Sequence, residues 1–91
     1  MRITFARSAA RHGISRERAE FVVEHCPLPL YAPVDSDRRA LVMYLGLDQH
    51  GVALEVAAVE AGPDELIAIH AMRLRRKFRP EFELVMREFE R

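Results

Sequence analysis

Between Arg39 and Ala71, three apolar runs rich in strand-forming residues alternate with two turn signals, and this constrains the fold more than any other feature. "RALVMYL" (39–45) places Leu41, Met43 and Leu45 on one face, with Ala40, Val42 and Tyr44 on the other. Both faces are largely apolar, as in a strand covered on two sides. "GLDQHG" reads as a hairpin connection with glycine at each end, "VALEVAAVE" (52–60) as a second strand and "AGPDE" as another turn. "LIAIHA" (66–71) is the third strand, with His70 near its end.

The flanks supply what must cover such a sheet. "ITF" (3–5) reads as a short strand and "ARSAARHG" as a short helix closed by Gly13. Ser15 is placed to N-cap a second helix, in which Ala19, Val22, Val23 and Cys26 recur at helical spacing before Pro27 stops it. "CPLPLYAPVDSD" reads as an extended connection. Near the other end, "HAMRLRRKF" predicts a short helix with His70, Arg73, Arg76 and Lys77 on one side. Beyond it Phe82, Val85, Met86 and Phe89 recur at i, i+3, i+4, i+7, with Pro80 in the first turn of a last helix. The order of elements predicts a single α+β domain over residues 1–91. Its core is a small antiparallel sheet of three to four strands, packed by two N-terminal helices and followed by a C-terminal one.

Composition narrows the class. Apolar residues make up 49% of the 91 and charged residues 31%, an ordinary globular balance. No apolar run approaches the roughly 18–20 residues of a membrane span, "MRITFARSAARHG" lacks the apolar core of a signal peptide, and Cys26 has no internal partner. A cytoplasmic protein without membrane association is therefore expected. Net charge is zero, which argues against a dedicated polyanion binder, but its distribution is uneven. Residues 26–69 carry two basic and seven acidic side chains, whereas residues 70–91 carry seven basic and four acidic. A basic end can present a positive field to phosphate over about 10 Å.

There is no phosphate-cradling glycine loop, no CxxC and no HExxH, and the four histidines are dispersed, so neither a metal nor another cofactor is expected. What remains suits phosphodiester cleavage on RNA by the neighbouring 2′-hydroxyl. That reaction needs proton transfer, which histidine performs near neutral pH, and cations that hold phosphate, for which arginine has a matching fork. His70 beside Arg73 and Lys77 meets this need in composition, and Arg38 and Arg39 can add phosphate contacts from the sheet. Each residue has a plainer reading. His70 can be a hydrogen-bonded structural residue, and His12, just before a helix-ending glycine, can serve the helix C-terminus. Glu55 can be a general base, a carboxylate orienting an arginine, or an ordinary exposed position. The basic cluster at 73–79 can be a solvated face, and His25, His50 and Cys26 read as incidental.

"RHGIS" before a helix, then "RALVMYLGLDQHGVALEV", then "LIAIHAMRLRRKF", resembles small bacterial toxins of the RelE/ParE superfamily, and BrnT-like members in particular. The likeness spans roughly residues 10–80, and His12-Gly13 and the block from Ile69 to Met72 are its most specific pieces. It implies a ribonuclease that suppresses translation and an antitoxin protein that neutralises it. The site it implies lies near Arg39, Glu55, His70 and Arg73, with Lys77 beside it. The expected roles are therefore catalytic for His70, Glu55 and Arg73, and RNA- or phosphate-binding for Arg38, Arg39, Arg76 and Lys77. A non-catalytic interaction module on the same fold is the alternative. Its apolar terminal stripe would then bind a partner or a second copy. Action on a DNA topoisomerase, as in ParE-type relatives, is a third option.

Overall fold

A computed structural model describes residues 1–32 and 41–90. Arg38 and Arg39 lie outside the described residues. The architecture is α+β. Strands β1 (Arg2–Phe5), β2 (Leu30–Tyr31), β3 (Leu41–Leu47), β4 (Ala53–Gly62) and β5 (Glu65–Arg73) form one sheet among the described residues, in the order β1-β5-β4-β3-β2. Helices α1 (Arg16–His25) and α2 (Arg79–Glu88) pack against β3, α1 also against β4. Among the described residues no helix is long and apolar enough to cross a membrane.

The sheet is larger than expected, and mixed. The central β3–β4–β5 meander is antiparallel, but β1 joins the outer edge of β5 in parallel, pairing Arg2 with Glu65 through to Phe5 with Ala68. This pairing joins segments some sixty residues apart, which local pattern cannot reveal. The first predicted helix shrinks to a single 3₁₀ turn over Arg7–Ala10. The second holds: Ser15 Oγ accepts from the Arg18 amide at 3.3 Å and the helix ends at Cys26, before Pro27.

The helix expected over residues 70–78 is a correction. β5 runs on to Arg73, Leu74 still donates to the Ala53 carbonyl at 3.0 Å, and only Arg76–Phe78 coil into a 3₁₀ turn. Pairing with β4 here overrides the helix-favouring composition of "AMRLRRK". The predicted helical face joining His70, Arg73, Arg76 and Lys77 therefore does not form.

Two apolar layers follow from strand alternation. Ala19, Val22 and Val23 of α1 join Val42, Tyr44, Leu54, Val56, Ala58, Leu66, Ala68 and Ala71 in one buried cluster. Leu45, Ala57 and Val85 of α2 are buried outside that cluster. The register aligns Leu45 with Glu55 and Ala57 with His70, so all four lie on the second face of the sheet. Of the terminal stripe, Val85 is fully buried, Phe82 and Met86 are half-buried, and Phe89 is exposed.

Candidate functional site

His70 reaches the second face because of an irregularity in β5. Strict alternation from Leu66 and Ala68 would turn residue 70 into the α1-side core. Instead, Ala58 pairs with Ala68 while its neighbour Ala57 pairs with His70, leaving Ile69 as an extra residue. Such a bulge resets the alternation and re-aims the side chains that follow it. Ala71 returns to the buried cluster and His70 faces the side of Glu55.

Glu55, at mid-strand in β4, is fully buried. Its Oε1 lies 3.0 Å from His70 Nε2, and accepts from Arg75 Nε at 2.9 Å and Arg75 Nη2 at 2.6 Å. Its Oε2 accepts from the Arg75 backbone amide at 2.9 Å. Burial pushes the carboxyl up, but the hydrogen bonds from the Arg75 side chain and backbone and from His70 outweigh it. Glu55 is thus held below the usual glutamate range and is ionised at neutral pH. An ionised carboxylate only accepts, so the proton in the His70 contact sits on Nε2 and the second ring nitrogen, Nδ1, is left as the reactive one. The pair also raises the Arg75 guanidinium above its already high value, chiefly through the side-chain hydrogen bond to Glu55.

The site is buried at its base and open above it. Glu55 is inaccessible, while the side chains of His70 and Arg75 are 26% and 41% exposed. Arg75 Cζ lies 5.4 Å from the centre of the Phe78 ring, and Lys77 Nζ lies 5.1 Å from it. One aromatic ring therefore contacts two cations, of which Arg75 also grips the carboxylate. On the other flank the His12 ring stands edge-on to that of His70, with centroids 5.5 Å apart.

The expected residues are thus sorted. Glu55 and His70 are brought together, and Lys77 lies against Phe78, the ring that Arg75 also contacts. Arg73 is not part of this group: the register sets it opposite Leu54, whose side chain is in the α1-side cluster, so Arg73 leaves the sheet on the face away from His70. Arg73 and Arg76 are exposed, and no ion pair among the described residues engages either. The arginine that grips Glu55 is Arg75, which spacing alone did not single out, because its role depends on β5 staying extended to residue 73. Among the described residues no cluster of three or more His, Cys, Asp or Glu side chains is arranged to hold a metal ion. Compared with protein-family models, curated proteins and solved structures, the chain matches none.

Proposed function

We propose that the protein is a toxin-type endoribonuclease that cleaves RNA by attack of the 2′-hydroxyl on the adjacent phosphate. The observation that carries this reading is an ionised, buried carboxylate that orients both an accessible imidazole and an accessible guanidinium. Glu55 fixes the His70 tautomer and orients the ring so that Nδ1 can take a proton, the positioning role a carboxylate plays behind a catalytic histidine. Because its oxygens are already engaged and its proton affinity is low, Glu55 serves as a positioning residue rather than as the base. Arg75 offers charge to the developing phosphorane, and Lys77 adds positive potential that helps gather substrate. The RelE/ParE likeness of "RHGIS" and "IHAMRLRRKF" supports the same reading, with a small antitoxin as the partner and bacterial growth arrest as the outcome.

The test is cleavage of a defined RNA by the purified protein, with analysis of the product ends. The reading expects 2′,3′-cyclic phosphate and 5′-hydroxyl termini, and a loss of about 100-fold or more in His70→Ala, the usual scale of proton-transfer catalysis. Intact RNA, together with unimpaired growth on induction, would remove it. A second reading has its own observation. An open groove of about 430 Å³ is lined in part by Phe21, Leu47, Met86 and Phe89. Leu47 and Phe89 are 43% and 54% exposed, which suits a protein-interaction module or the seat of an antitoxin segment.

A further inference from the structure

We propose that His12 is the second proton-transfer residue of this site, acting as general acid on the leaving 5′-oxygen while His70 acts as base. The inference rests on the phosphodiester reading and extends it to a residue outside the Glu55–His70–Arg75 group.

The argument begins with how His12 is held. The 3₁₀ turn that precedes it is fastened to the bulge in β5: Ser8 Oγ donates to the carbonyl of the extra residue, Ile69, at 2.8 Å, and the Ala6 amide donates to the Ala68 carbonyl at 2.9 Å. Ala9 is fully buried beneath the turn, and Gly13, with φ of +75°, reverses the chain immediately after His12. One irregularity thus turns His70 toward Glu55 and also supplies the anchor for the turn that carries His12 alongside.

A helix-capping role for His12 loses its physical basis here. A four-residue 3₁₀ turn has little macrodipole to complement. His12 is exposed, and its described contact is the edge of the His70 ring at an interplanar angle of 69°. Two imidazoles 5.5 Å apart at centre can both reach one phosphodiester, one at the attacking and one at the leaving oxygen. Their environments assign the roles. His70 donates Nε2–H to ionised Glu55, so its neutral form offers Nδ1 as the acceptor that a base requires. The exposed His12 ring, on the other flank of His70, is then the group left to donate a proton to the leaving oxygen.

The step balances without an added reagent. The 2′-O–H bond breaks and its proton passes to His70 Nδ1. The 2′-oxygen bonds to phosphorus, the bond from phosphorus to the 5′-oxygen breaks, and that oxygen takes the proton of His12. The products are a 2′,3′-cyclic phosphate and a 5′-hydroxyl, and proton exchange with water resets the two rings.

The experiment compares His12→Ala and His70→Ala on two substrates: an oligoribonucleotide, and a ribonucleoside 3′-(4-nitrophenyl) phosphate whose phenolate departs without needing a proton. His12→Ala is expected to lose about 100-fold or more in kcat on RNA but only a few-fold on the aryl ester. His70→Ala is expected to lose heavily on both. A His12→Ala loss of equal size on the two substrates, or none on RNA, would overturn the acid role while leaving the nuclease reading intact. A native protein that cleaves neither substrate would instead take down the nuclease reading itself.

Discussion

Glu55 is charged, inaccessible and bonded on both oxygens, so its substitution separates charge from hydrogen bonding. Glu55→Gln keeps the shape but loses the charge that attracts Arg75 and His70. It should cost about 1–3 kcal/mol at pH 7, the scale of hydrogen bonds to charged groups. The sign of the pH dependence follows from the carboxyl being held below its unfolded value. Its contribution is fully present above the unfolded value of about 4.3 and disappears as pH falls from there through the folded one. Thermal melts of wild type and Glu55→Gln between neutral and strongly acid pH should therefore converge on the acid side. A gap in Tm that stays constant across the series would mean that Glu55 is not ionised in the fold. Arg75 invites a companion change: Arg75→Lys keeps a positive charge but cannot present Nε and Nη2 together to one oxygen, so kcat on RNA should fall at least tenfold. Wild-type kcat in that variant would show that charge alone suffices.

The β3–β4 hairpin and the bulged strand β5 show what local pattern could and could not reveal. Glycines at 46 and 51 marked the hairpin, and Gly51 adopts φ of +78° at its turn, as a glycine there allows. Asp48 gave no signal, although it is 4% exposed and holds the turn together. Its Oδ1 accepts from the His50 and Val52 amides at 2.8 and 2.9 Å, and its Oδ2 from Arg18 Nε of α1 at 2.6 Å. Burial raises this carboxyl, and those bonds together hold it below the usual aspartate range. Asp48→Ala should cost about 2–3 kcal/mol by stranding these donors, a fall in Tm of roughly 10–20 °C in a domain this small, with Asp48→Asn milder. Equal melting of Asp48→Ala and wild type would exclude this role. In β5, the apolar run at 66–71 was readable, and so was Pro80 opening α2, because both follow from side-chain type alone. The bulge at Ile69 was not, since a one-residue insertion depends on the register of a partner strand. For the same reason His70 and Glu55 were legible as candidates, whereas the exchange of Arg73 for Arg75 required the strand's true end.

At the scale of the whole molecule, zero net charge sets a limit on how the proposed site could hold RNA. A strongly basic nuclease gathers substrate by its overall field. Here Arg75 lies in the site and the exposed Arg76 and Lys77 follow it in sequence, while the acidic middle of the chain opposes any long-range attraction. Only about two to four phosphates can then be neutralised, and for single strands each contributes about 0.7 to the log–log salt slope. Affinity for a short single-stranded RNA should therefore fall by about 7- to 50-fold between 50 and 200 mM salt, on the order of what two to four contacts release. The double variant Arg76→Ala/Lys77→Ala should flatten that slope by about 1.4 and raise KM, because exposed cations contribute to encounter and grip. On the proposed mechanism kcat should change little, since it assigns the proton transfers to His70 and His12 and the phosphorane contact to Arg75. Titrations across a salt series, paired with steady-state kinetics, measure both quantities. A slope several-fold steeper would mean a larger phosphate-binding surface than these cations provide. A variant that lost kcat at constant KM would move Arg76 or Lys77 from grip to chemistry.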